Sequence, residues 1–166
     1  MAILSNPRDL PYGRLIGLDL GQARHGVAVS DELGIVATPL LALARCQKRS
    51  DDFAAIAAIV SREHAVGVLV GLPHSYGEER SAQARWTQRY AGRLAGALSV
   101  PVAFWDETLS TYDAQRLPSM RRGRTDVDAA AAAFLLQSFL NARQGMDPQT
   151  TRDAAGETPA PFAEAQ

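Results

Sequence analysis

Short apolar runs separated by turn residues occupy the first forty positions of the chain. The β-competent runs are residues 14–20, 26–30 and 35–40, and the turn-prone segments GQARH and DELG separate them. Strands joined by such short connections run antiparallel. The pattern therefore predicts a three-stranded antiparallel meander.

After residue 50 the apolar period changes. Residues 50–64 place apolar side chains at helical spacing, as do 79–98 and 127–142, whereas 66–72 and 100–105 are continuous apolar runs typical of buried parallel strands. A capping-box pattern from Ser110 to Asp113 predicts one further short helix. The order β-β-β-α-β-α-β-α indicates an α/β fold with a mixed five-stranded sheet flanked by helices.

The length of 166 residues suits one domain. We expect a folded unit over residues 12–144, a flexible N-terminal arm over 1–11 and a disordered acidic tail over 145–166. No apolar stretch approaches the roughly 18 residues of a membrane span, and no signal peptide is recognised. One cysteine, Cys46, permits no internal disulfide. A cytoplasmic protein without a membrane partner is therefore expected.

The net charge of −1 hides an asymmetry. The segment 145–166 holds four acids and one base, net −3, so the rest of the chain carries +2. All but one of the 17 basic residues are arginine, the better bidentate ligand for phosphate. A near-neutral total therefore does not exclude a nucleic-acid partner.

Asp19 lies inside the otherwise apolar run LIGLDL. Strand alternation puts it on the same face as Leu15 and Gly17. A carboxylate at a half-buried position is costly unless it is paired, binds a cation or reaches a cleft. Asp19 is therefore a candidate site residue, although an acid that caps the following glycine turn is the simpler alternative.

Two further acidic positions follow elements of the predicted sheet. Asp106 and Glu107 end the last strand, and only one of them can face Asp19 because adjacent side chains point to opposite faces. Asp126 is explained as the N-cap of the final helix. Asp128 instead shares a helix face with Ala132, Leu135 and Phe139, and the alanines 129–133 would let that face approach the sheet closely.

Three acids brought together from distant segments would repel one another unless cations lie between them. Oxygen ligands alone suit Mg²⁺ or Mn²⁺. Two such ions, adding +4, could activate a water for phosphodiester hydrolysis.

Two groups of arginines could contact a polyanion. Arg121, Arg122 and Arg124 lie in a glycine-containing loop just before Asp126, where contact with phosphate and simple solvation are both reasonable. A second stripe follows helical spacing, for which a solvated face is the commoner explanation: Arg85, Arg89 and Arg93. Trp86 and Tyr90 are assigned to the core, and His25 to a loop near the cleft.

The segments GLDLGQARHGVAVSD, IVATPL, VGLP, DETLST and VDAAAAAFLLQSFL together resemble the RuvX/YqgF family of small bacterial RNase H-like nucleases over roughly residues 14–141. That family is associated with processing the 5′ end of precursor 16S ribosomal RNA, and some members with Holliday-junction resolution. The resemblance implies the RNase H-like fold. It also implies catalytic and metal-binding roles for Asp19, Glu107 and Asp128.

The sequence departs from the family at three places. Gln22 and Ala23 replace a threonine and a lysine, Thr108 replaces an arginine, and the segment between LST and VDA is short. None of these changes removes an expected metal ligand, but they leave DNA or RNA as the natural substrate undecided.

The leading hypothesis is a divalent-metal-dependent endonuclease acting on four-way junction DNA or precursor rRNA, with Arg121, Arg122 and Arg124 positioning the backbone. Symmetric cutting of a junction would favour a homodimer. A non-catalytic nucleic-acid-binding module is one alternative. A fragment of an actin-like kinase or ATPase is another, since the DLG…GVAV pattern also resembles a phosphate loop of those proteins, although they need two such domains.

Overall fold

A mixed sheet forms the centre of the computed structural model, which describes residues 3–73, 78–106 and 124–145. Within these ranges the sheet has six strands in the order β1-β6-β5-β2-β3-β4. Strands β2, β3 and β4 form the predicted antiparallel meander, and β5, β6 and β1 extend it in parallel. The strands are β1 Ile3–Leu4, β2 Leu15–Leu20, β3 Arg24–Ser30, β4 Ala37–Ala44, β5 Gly67–Leu72 and β6 Val102–Asp106.

Three described α-helices cover the two faces of the sheet: α1 Arg49–Arg62, α2 Glu78–Ala97 and α3 Arg124–Arg143. Ile16 and Leu18 of β2 pack with α1 and α2, whereas Leu15 packs with α3. Alternate residues of one strand therefore supply two separate cores, as the period of two requires. None of the described helices is long and apolar enough to cross a membrane.

The sheet has one more strand than the sequence predicted, because the N-terminal segment contributes to it. Ile3 and Leu4 pair in parallel with Val102 and Ala103 of β6. A 3₁₀ turn over Pro7–Asp9 follows, and Leu10 is buried in the core on the α3 side. Residues 3–10, assigned above to a flexible arm, thus pack against the sheet. A two-residue strand has too few positions to show an alternation in the sequence.

Several sequence predictions lie outside the described residues. They are the short helix from Ser110, the loop that holds Arg121 and Arg122, and the tail beyond residue 145. The other predicted elements are confirmed. The observed strand ends differ most from the predicted ones in the meander, where β3 begins at Arg24 and β4 continues to Ala44.

Candidate active site

Asp19 lies near the carboxyl end of β2 on the face covered by α3. Leu15 and Gly17, which share its side of the strand, both meet α3: Leu15 belongs to that core, and a Cβ on Gly17 would lie 2.9 Å from Leu136 Cβ. Asp19 itself is half-buried. The face predicted from strand alternation is therefore confirmed.

Small residues let α3 approach this face closely. Gly26 of β3 is the register partner of Asp19, and a Cβ there would lie 1.9 Å from the backbone oxygen of Asp128. A Cβ on Gly71 of β5 would meet Leu135 at 2.9 Å. Any side chain at Gly26 would thus displace the first turns of the helix. The glycines of the sheet and the alanines of α3 together set this short separation.

Asp128 is brought to Asp19 by the packed face of α3. Ala132, Leu135 and Phe139, which share its side of the helix, are at most 1% exposed. Burial raises the pKa of the Asp19 carboxyl, and the negative charge of Asp128 raises it further. The two carboxylates are therefore close enough to repel each other, as the sequence pattern predicted.

Arg24 completes the described part of the site and was not predicted from the sequence. Its Nε donates to Asp128 Oδ2 at 2.7 Å, and each side chain is about one third exposed. Arg24 precedes Gly26 by two residues in β3, so both face α3. Had β3 been extended back to residue 24, the same alternation that placed Asp19 would have placed Arg24 on the face that meets α3, although not its contact with Asp128.

His25 does not belong to this site. It was predicted in a loop near the cleft, but it lies within β3 and points to the opposite face, where it is fully buried. Its Nε2 lies 3.0 Å from Tyr90 Oη, and that hydroxyl donates to Asp52. Burial lowers the pKa of His25 to about 4. Because the tyrosine proton is engaged by Asp52, a neutral His25 with its proton on Nε2 satisfies the contact.

The third acid of the prediction, Glu107, lies outside the described residues, as do Arg121 and Arg122. Asp106 ends β6 as an exposed residue in register with Leu72. Arg124 begins α3. Among the described residues, no group of three His, Cys, Asp or Glu side chains is placed to hold a metal ion. What is described is a pair of carboxylates, with an arginine on one of them, near the carboxyl ends of β2 and β5, where ligand sites of α/β sheets form.

Comparison with known sequences gives consistent matches. The model of a family described as "RuvX: Holliday junction resolvase" matches residues 13–142. Two curated relatives carry the name "Putative pre-16S rRNA nuclease". The protein of Cereibacter sphaeroides is 40% identical over 134 residues, covering 78% of this chain and 83% of its own. That of an Anaeromyxobacter species is 44% identical over 136 residues, covering 78% and 98%.

Among solved structures, the chain is similar to Thermus thermophilus RuvC in complex with a Holliday junction substrate. The TM-score is 0.53 at 19% identity, and the match covers 81% of this chain and 97% of RuvC. At this identity the similarity shows the fold alone. The predicted RNase H-like fold is therefore confirmed, with six described strands instead of five.

Proposed function

Because the chain belongs to the RuvX family, we propose that it is a divalent-metal-dependent endonuclease that hydrolyses phosphodiester bonds in structured nucleic acid. The observation that carries the proposal is the juxtaposition of Asp19 and Asp128, since Gly26, the register partner of Asp19, packs against the backbone of Asp128. The substrate is a Holliday junction or precursor 16S rRNA, the two classes that the family description and the relatives' names contain.

The two aspartates fit a cation. Both offer oxygen atoms, the donors that Mg²⁺ and Mn²⁺ prefer. Asp19 is half-buried beside a second negative charge, an arrangement that a bound cation would neutralise. We assign Asp19, Asp128 and Glu107 as the ligands. Two divalent cations at such a site supply Lewis-acid chemistry, lowering the pKa of water and neutralising charge on the leaving oxygen.

The protein's own groups orient this site. Arg24 holds one carboxylate oxygen of Asp128 at 2.7 Å, which fixes the side chain's rotamer and leaves its other oxygen for a cation. Asp19 extends from a strand that is hydrogen-bonded on both sides, so its backbone position is fixed. Arg121, Arg122 and Arg124 are proposed to bind the substrate's phosphates and position the scissile bond.

The test is cleavage of a labelled four-way DNA junction and of a precursor 16S rRNA fragment by wild-type protein and Asp19→Asn, with Mg²⁺, Mn²⁺ or EDTA. We expect metal-dependent products from the wild type and at least a 100-fold lower rate from the variant. Undiminished cleavage by Asp19→Asn would refute the assignment. Binding of both substrates in EDTA, with no product under any condition, would instead identify a non-catalytic binding module.

We propose that the protein acts in the cytoplasm, where such substrates occur. If the junction is the substrate, paired symmetric cuts call for a homodimer. Sedimentation of the protein with and without junction DNA measures that state directly.

A further inference from the structure

A second basic surface lies on the other side of the sheet, between α2 and the residues that join β4 to α1. It borders an open cavity of about 450 Å³. We call it the arginine pocket and define it by six of its lining residues: Arg45, Arg49, Trp86, Arg89, Tyr90 and Arg93. Two members of the predicted stripe of α2, Arg89 and Arg93, are exposed and line this concave surface.

The charge of the arginine pocket is largely uncompensated. None of its lining residues is acidic. Arg45 faces the buried Asp52, with Nε and Oδ2 3.5 Å apart. Arg49, Arg89 and Arg93 are exposed and form no ion pair with any residue in the described ranges. Three exposed guanidinium groups converging on one cavity are suited to an anion that accepts several hydrogen bonds.

The floor of the pocket is held in place by buried contacts. Asp52 accepts from the backbone N–H of Cys46 at 2.6 Å and from Tyr90 Oη at 3.2 Å. The guanidinium of Arg45 lies 5.4 Å from the ring centroid of Trp86 and 5.7 Å from that of Tyr90. A cation fixed by an ion pair and two aromatic rings loses little conformational freedom when an anion binds.

The pocket is connected to the candidate active site through the turn between β2 and β3. Arg45 Nη1 donates to the carbonyl of Gln22 at 3.0 Å, and its backbone N–H donates to Ala23 O at 3.1 Å. The next residue, Arg24, holds Asp128. The turn over residues 21–23 thus borders both sites. A nucleic-acid strand that contacted both sites would have to cross this turn.

We infer that the arginine pocket binds the phosphate backbone of the nucleic-acid substrate outside the cleavage site. This inference rests on the proposed function for the identity of the anion, since guanidinium groups read charge and not sequence. The pocket then contributes affinity without taking part in bond cleavage.

The test compares two variants of the full-length chain that remove equal charge. Arg89→Gln/Arg93→Gln alters the pocket, whereas Arg8→Gln/Arg62→Gln removes two exposed arginines that belong neither to the pocket nor to the arginine stripe of α2. Affinity for a labelled four-way DNA junction is measured by anisotropy in EDTA at several salt concentrations. We expect the pocket variant to lose affinity about tenfold and to reduce the log–log salt slope by about 2, and the control to change less than about threefold.

Equal losses of affinity in the two variants would indicate diffuse electrostatic attraction and overturn the inference. Unchanged affinity in both variants would also overturn it. Binding of a nucleoside monophosphate as tightly as the junction would assign the pocket to a small nucleotide, which also overturns it. Cleavage is followed in parallel. If the wild type shows no metal-dependent cleavage but the pocket variant still loses affinity for the junction, the proposed function alone is refuted. Normal cleavage with unchanged binding by the pocket variant refutes the pocket alone.

Tryptophan fluorescence locates the contact independently. The chain has two tryptophans, so Trp105→Phe leaves Trp86 as the reporter beside Arg45. Junction DNA should change its emission with the same midpoint as the anisotropy, and this change should disappear when Arg89 and Arg93 are also replaced. Emission that does not respond to bound junction would place the contact elsewhere and overturn the inference.

Discussion

The proposed role of Arg24, the orientation of the Asp128 carboxylate, depends on a single ion pair. Its guanidinium holds Asp128 at 2.7 Å across 104 positions of sequence. Replacement by glutamine should lower the rate of cleavage about tenfold or more, because the carboxylate can then adopt unproductive rotamers. Arg24→Lys should recover part of the rate by retaining the charge. Because the pair is one third exposed, the loss of stability should be only about 1 kcal/mol.

The measurement is kcat and KM for the junction or rRNA substrate, together with chemical denaturation. A positioning role predicts that kcat falls more than KM rises. A variant that loses substrate affinity alone, at unchanged kcat, would show that Arg24 contacts the substrate and does not orient Asp128.

His25 gives the protein an acid-sensitive core. The pKa of His25 is lowered to about 4 in the folded protein and is near 6.5 when unfolded. Between these values the unfolded chain binds the additional proton, so stability is complete above about pH 6.5 and is lost as the pH falls toward 4. At pH 4.5 the free energy of unfolding is lower by about 2 to 3 kcal/mol than at neutral pH because of this one group.

The variant His25→Gln keeps a hydrogen-bonding group but does not titrate. Urea denaturation at pH 7 and pH 4.5 should show a smaller pH-dependent loss in His25→Gln than in the wild type, by about 2 kcal/mol. Equal losses would mean that other groups, such as Asp52, carry the acid sensitivity.

At the scale of elements, the contact between β3 and α3 decides the geometry of the site. Gly26→Ala places a Cβ 1.9 Å from the backbone oxygen of Asp128, and backbone cannot move aside as a flexible side chain can. We expect about 3 kcal/mol of destabilisation and a large loss of cleavage, because the helix carrying Asp128 must shift.

Gly92→Ala is the matched control. Gly92 lies inside α2, and the nearest atom to its added Cβ is Ile3 Cδ1 at 4.0 Å. Alanine should stabilise the helix there by up to about 1 kcal/mol. Thermal melting of both variants checks the contrast. A Gly26→Ala protein as stable as the wild type would contradict the close packing of α3.

The elements themselves were largely predictable, because periodicity is a local signal. The helical spacing of α3 identified the face that holds Asp128, and the alternation of β2 identified the face that holds Asp19. Arg24–Asp128 and the network of His25, Tyr90 and Asp52 were not predicted. Each joins residues far apart in sequence, and single polar residues in a strand give no indication of their partners. The strand Ile3–Leu4 depends on pairing with β6 and on packing of its two side chains against the two cores, and it was missed for the same reason.

At the scale of the whole molecule, a bound cation should increase the free energy of unfolding. Mg²⁺ or Mn²⁺ at 10 to 100 times its dissociation constant should stabilise the wild type by about 1 to 3 kcal/mol, and EDTA should remove the effect. Asp19→Asn should show no such gain. In EDTA the variant should be at least as stable as the wild type, because it no longer buries a charge beside Asp128.

Thermal unfolding of both proteins with Mg²⁺, Mn²⁺ or EDTA measures this linkage without requiring activity. A metal-dependent gain of equal size in Asp19→Asn would place the cation elsewhere. A variant much less stable than the wild type in EDTA would show that Asp19 has a structural role.

The two edge strands of the described sheet differ in the feature that opposes backbone pairing with a strand of another molecule. β1 has two residues and offers few free backbone groups. β4 has eight, but Pro39 lacks an N–H and interrupts its row of donors. Both features oppose edge-to-edge pairing between molecules. Continuous sheets that run from one molecule into the next are therefore disfavoured at both described edges, and this protects the folded protein from aggregation through its β-edges.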